Sequence, residues 1–276
     1  MEFIQEWSLI LIALLGIGIL AGILAGLLGV GGGIVIVPVL YLVFQAIGVD
    51  PATAMLVATG TSLMTIIPTS MSSASAHHKR GNVDFSLLLR WLPGMLLGVL
   101  LGSWIVTRVS GLILTAIFGV IGILVALNML FRASSPPVFS HLPNVHIQRL
   151  IGGAIGLFSV MMGIGGGTLG VPTLTSFNVP THRSVGTAAL FGLVIAVPGT
   201  LMMLFASHTP VNAPEGTYGL VNVPGFLVIV PLTVLMAPVG VKLGAKLDGT
   251  SLKKVFALFL IVVGSRMILQ TFQGVL

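Results

Sequence analysis

Two glycine clusters are the residues whose type and spacing suit chemistry. They are Gly29-Val-Gly-Gly-Gly33 and Gly163-Ile-Gly-Gly-Gly167, followed by Pro38 and Pro172. Glycine costs roughly 1 kcal/mol per residue inside a helix, so three in a row is where a helix breaks. A helix restarting at Ile34 or Thr168 presents unpaired N–H groups and the positive end of its dipole, which together suit an anion. Thr59, Thr61, Ser62 and Thr65 follow the first cluster, and Thr168, Thr173, Thr175 and Thr187 surround the second. Hydroxyls and backbone N–H groups fit a small oxyanion, whose oxygens accept from several directions. The expected binding residues are Gly31, Gly32, Gly33, Thr61, Ser62, Gly165, Gly166, Gly167, Thr168 and Thr187, with Arg183 as a cation at the mouth. Blander uses exist for each: close helix packing for the glycines, bonds to the i−4 carbonyl for the hydroxyls, and a charge anchor at the membrane surface for Arg183.

The elements that position these residues are membrane helices. Of 276 residues, 56% are hydrophobic and only 7% charged, with a mean hydropathy of +1.15. A soluble domain carries about 25% charged residues, so a soluble globular enzyme is excluded. Apolar runs suited to spanning cover 8–28, 52–67, 85–106, 112–131, 149–162, 185–205, 223–239 and 252–269, while two shorter ones, 34–47 and 168–177, follow the glycine clusters. The acidic start Met1-Glu2-Phe3-Ile4-Gln5-Glu6 is unlike a signal peptide, so the first run is expected to stay in the membrane.

These runs form two similar sets. Gly60-Thr61-Ser62 recurs as Gly186-Thr187-Ala188. Gly81, Val83, Asp84, Pro93, Gly102, Arg108, Phe118 and Met129 recur at one constant offset as Gly219, Val221, Asn222, Pro231, Gly240, Lys246, Phe256 and Met267. The reading is two repeats, 1–132 and 149–276, joined by a Ser/Pro-containing linker at 133–148. If each repeat crosses five times, the second is inverted, and every Lys and Arg except Arg108 and Arg266 falls on one side. If each crosses four times, the charges divide evenly. The positive-inside rule selects the inverted arrangement, with both termini outside. The expected fold class is therefore an all-α polytopic membrane protein of two inverted five-segment repeats, with Gly-broken helices or re-entrant hairpins near the midplane.

Other chemistries lack their residues. There is no Cys, so disulfides and thiolate sites are excluded. His77, His78, His141, His146 and His208 lie in or beside loops without metal spacing, and no metal or cofactor is expected. The Gly165–Gly170 match to GxGxxG has no βαβ context, and no GxxxxGK[ST] is present. Lys253-Lys254 is too short a basic run for nucleic acid, and the net charge of +6 is better explained by cytoplasmic loops. Every Asp and Glu lies in a loop or at a segment end, so no mid-membrane carboxylate offers a proton relay. Small-xxx-small spacing at Gly18/Gly22/Gly26, Gly94/Gly98/Gly102, Gly152/Gly156 and Gly240/Gly244 suits packing within one chain, or a homodimer face.

The paired glycine clusters with their prolines, the Gly-Thr-Ser and Gly-Thr-Ala repeats, and the loop His77-His78-Lys79-Arg80-Gly81-Asn82-Val83-Asp84 resemble the TauE/SafE sulfite exporter family. The resemblance covers nearly the whole chain. It implies transport, as export, of small sulfur anions such as sulfite, thiosulfate or organosulfonates across a bacterial cytoplasmic membrane. It implies no enzymatic activity; the partners are the anion and the lipid bilayer. Rival readings are a passive anion channel, a transporter of another small anion, and a scaffold without flux. Gly32→Ala and Gly166→Ala are expected to abolish flux with folded yield largely kept.

Overall fold

The termini of the helices are written in caps and breakers. Asp50, Asp84, Asn144 and Asn222 each place a side-chain oxygen on the N–H three residues ahead, at 2.9–3.0 Å, and a helix begins at the next residue each time. In a chain this poor in carboxylates, two of them serve as caps. The computed structural model describes residues 2–131, 137–206, 208–244 and 249–273. Among these the first set of helices is α1 (Glu2–Leu28), α2 (Gly33–Ala46), α3 (Pro51–His78), α4 (Phe85–Val106) and α5 (Gly111–Phe131). The second is α6 (Val145–Met162), α7 (Gly167–Ser176), α8 (Thr181–Leu204), α9 (Val223–Gly244) and α10 (Gly249–Gln273). A two-stranded antiparallel ribbon, β1 (Thr217–Tyr218) and β2 (Val221–Asn222), leads into α9. Residues 133–136 of the expected linker, and the repeat partner Lys246, lie outside the described residues.

All ten apolar runs are helices. Among the described residues six of them (α3, α4, α5, α6, α8 and α9) are long and apolar enough to cross a membrane. The main departure from the sequence reading is α3, which runs past Ile67 to His78 through Pro68 and a Ser/Thr-rich stretch. Its hydroxyls find acceptors on neighbouring helices: Thr69 with Thr233 at 2.7 Å, Ser72 with Val234 O at 2.9 Å, and Ser73 with Ala25 O at 3.1 Å. Polarity is thus spent on interhelical bonds instead of ending the helix.

Packing is reciprocal between the sets. α1 packs along α9 and α6 along α4; α3 meets α8 and α5 meets α10. Glycines set both long seams. A methyl group on Gly18, Gly22 or Gly26 would run into Leu232, Thr233 or Ala237 of α9, and one on Gly94, Gly98 or Gly102 into Arg149, Gly153 or Val160 of α6. The small-xxx-small stripes are therefore used inside this chain. Buried Trp91, Met95 and Val99 of α4 face the interior, while Leu89, Leu97 and Trp104 are exposed on its other side. Such an apolar exterior suits lipid.

Candidate functional site

The glycine clusters break their helices as expected, and they do so against each other. Gly29 (φ 67°) and Gly163 (φ 66°) end α1 and α6 in the left-handed region, where a Cβ is costly. The two segments then run antiparallel in contact. A methyl on Gly33 would lie 2.6 Å from Gly163 O, and one on Gly165 2.6 Å from Val30 O. One on Gly167 would fall onto Gly29 O, and one on Gly31 would sit 3.5 Å from Gly165 Cα. Gly31 and Gly165 mark the crossing. The glycines thus satisfy a close-packing role in full. The expected Gly32→Ala and Gly166→Ala behaviour needs correcting accordingly. Gly32 has φ 80° with Ala21 O 3.0 Å from its would-be methyl, and Gly166 abuts Phe191, so either change disturbs folding as well as any binding.

The hydroxyls separate into those already engaged and those that are not. Ser62 donates to Gly163 O at 2.7 Å and ties α3 to the second break. Thr61 donates to Val57 O at 2.7 Å and accepts the Asn222 N–H at 2.8 Å. Thr187 accepts the Asp84 N–H at 3.0 Å. Thr65, Thr173 and Thr175 bond carbonyls of their own helices. Among the described residues six buried Ser and Thr hydroxyls have no protein partner, those of Thr59, Ser70, Ser103, Ser159, Thr168 and Thr200. Three adjoin the breaks: Thr168 in the first turn of α7, Thr59 of α3 behind Gly163, and Ser70 of α3. Ser70 was missed from sequence. Its Oγ lies 3.3 Å from the would-be methyl of Gly31 and directly against that of Gly192 on α8. No spacing rule pairs residues 70, 31 and 192.

The repeated Gly-Thr dipeptides have a definite task. A methyl on Gly60 would strike Leu220 O, and one on Gly186 would strike Asn82 O, so each glycine admits the loop of the opposite set. The adjacent threonine then receives the N–H of the residue capping the next helix. Arg183, expected as a cation at the mouth, forms an ion pair with Asp84. Burial pushes the Asp84 carboxyl up. The Leu87 N–H, the Ser86 hydroxyl and the Arg183 guanidinium outweigh this and hold it below the ordinary value. Beside the pair is a cleft of about 330 Å³ lined by Arg90, His141, Asn178 and Arg183. A second cleft of about 920 Å³, mostly apolar, includes Phe44, Glu215, Asn222 and Gly225. It sits where α2 ends and α9 begins.

The match to known proteins follows the same extent as this architecture. The family model described as sulfite exporter TauE/SafE matches residues 14–267, which include both breaks and all the repeated motifs. The chain belongs to the TauE/SafE sulfite exporter family. Membership of the TauE/SafE family places it among membrane transport proteins. It is 34% identical over 265 residues to a probable membrane transporter protein of Haemophilus influenzae, covering 96% of this chain and 100% of that one. It is 26% identical to the probable membrane transporter protein YunE of Bacillus subtilis, covering 93% and 97%. A probable membrane transporter protein of Methanocaldococcus jannaschii is also 26% identical, covering 96% and 97%. No solved structure matches the chain.

Proposed function

We propose that this protein is a transporter, working as an exporter, of small sulfur-containing anions such as sulfite or organosulfonates. It is built from two inverted five-helix repeats, 1–132 and 149–276, with 133–148 between them. The observation that carries this reading is the crossing of the two glycine segments with the unpartnered hydroxyls of Thr59, Ser70 and Thr168 around them, in a chain of the sulfite exporter family. The repeat relation is supported by exchanged contacts. Thr61 meets Asn222 as Thr187 meets Asp84, and Gly60 meets Leu220 as Gly186 meets Asn82. Broken helices meeting between inverted repeats are how many secondary transporters form their midplane sites.

In this reading Gly31, Gly32, Gly33, Gly165, Gly166 and Gly167 supply backbone donors, and Thr168 adds a hydroxyl. Thr61, Thr187 and Ser62 hold the surrounding frame. The clefts serve as vestibules on opposite membrane faces. The arginine-lined cleft faces the cytoplasm, both termini lie outside, and the membrane is the bacterial cytoplasmic one. Flux of sulfite, thiosulfate, sulfoacetate and sulfate into proteoliposomes tests this. Saturable uptake of one sulfur anion, with counterflow, is the expected result. Non-saturating flux without counterflow makes the protein a channel. No flux from folded protein overturns the sulfur-anion assignment.

A further inference from the structure

The charge state of the substrate can be read from what surrounds the crossing. Along the buried part of α3, Thr61, Ser62, Thr65, Thr69 and Ser73 each donate to a protein acceptor. Ser70 and Thr59 do not, although both are fully buried, and of the two Ser70 lies against Gly31. Leaving a buried hydroxyl unpaired costs free energy, and native interiors seldom tolerate it without a use. Space has been kept for this one. Gly192 faces Ser70 Oγ where a side chain would collide with it, and on the other side Oγ lies beside Gly31, which touches Gly165. The hydroxyl therefore reaches the crossing of the two segments. Thr168, also buried and unpartnered, stands in the first turn of α7 next to the same segments.

Every donor at this place is neutral. Among the described residues, the buried polar side chains are Ser, Thr, Asn, Gln and His77, with no Lys, Arg, Asp or Glu. His77 is bonded to Gly26 O, and the Arg183 charge is matched by Asp84. Desolvating an ion costs free energy that rises with the square of its charge, and hydrogen-bond dipoles repay a monoanion far more readily than a dianion. We infer that the crossing of the glycine segments binds a singly charged oxyanion, hydrogensulfite or an alkylsulfonate rather than sulfate or thiosulfate, and that the Ser70 hydroxyl donates to it. This rests on the transport reading above.

The experiment compares flux inhibition in proteoliposomes by methanesulfonate, sulfite, sulfate and thiosulfate, for the unaltered protein, Ser70→Ala and Thr69→Ala. Methanesulfonate is a monoanion at every usable pH. Sulfite passes from mono- to dianion near neutrality. The expected result is competition by methanesulfonate independent of pH, competition by sulfite that fades as pH rises, and at least tenfold weaker competition by the two dianions. Ser70→Ala raises KM about tenfold, as expected for loss of a hydrogen bond to a charged group, with apparent Tm kept. Thr69→Ala, which removes a hydroxyl engaged with Thr233, lowers Tm and leaves KM alone. Dianions competing as well as monoanions, or an unchanged KM in a folded Ser70→Ala protein, overturns this inference while the transporter stands. Absence of all flux from the folded, unaltered protein removes the sulfur-anion assignment and this inference with it.

Discussion

The Thr61 hydroxyl accepts the backbone N–H of Asn222 at 2.8 Å, 161 positions further along the chain. Asn222 in turn caps α9 through the Gly225 N–H. The Thr187 hydroxyl does the same for Asp84, which caps α4. Each central helix of one set thereby holds the start of a helix in the other, so the two sets cannot separate without exposing paired polar groups.

Thr61→Val and Thr187→Val keep the shape and remove the acceptor. Thr61→Val is expected to destabilise the protein by about 1–3 kcal/mol, the cost of leaving the buried Asn222 N–H unsatisfied, and Thr187→Val by less, since the Asp84 N–H is only partly buried. Thermal unfolding in detergent measures it, and an unchanged apparent Tm in both would show that the loops are seated by other contacts.

The Arg183–Asp84 pair has a defined pH window. Because the folded protein holds the Asp84 carboxyl below its ordinary value, the pair's contribution is complete at pH above that ordinary value. It is lost as pH falls through the lowered one. Arg183 is half exposed, so the contribution is under about 1 kcal/mol. Asp84→Asn keeps the cap on Leu87 and loses the charge. Its Tm deficit against the unaltered protein should be constant near neutral pH and vanish in acid.

Alanine at glycine should separate the crossing from the open surface. Gly33→Ala and Gly167→Ala place a methyl against Gly163 O and Gly29 O, and should sharply reduce folded yield. Gly16 has nothing within 4 Å of its would-be methyl, so Gly16→Ala should be neutral or stabilise α1 by up to about 1 kcal/mol. Yield and monodispersity on gel filtration distinguish the two outcomes.

Flux should survive single neutralisation of Asp50, Asp84 and Glu215, because none is buried and two are helix caps. Loss of transport in a folded Asp50→Asn protein, with Tm unchanged, would mean that a carboxylate carries protons after all.

By itself the sequence determined the number and approximate placement of the helices and the two breaks. These depend on local physics: apolar length, glycine in a helix, Asp or Asn at a cap. It also exposed Gly60-Thr61 and Gly186-Thr187 as a pair, through their repetition. What those residues do was decided only by tertiary structure. Thr61 and Thr187 read as ligands, yet their hydroxyls meet Asn222 and Asp84; Arg183 read as a cation at the mouth, and Asp84 pairs with it. Ser70 carried no signal at all, since its exception lies in the acceptor it lacks and in the space left by Gly192. A hydroxyl in a membrane helix has several possible acceptors, and which one it takes depends on the helix packed beside it. That choice is made by close approach between distant segments, a quantity that periodicity and composition do not contain.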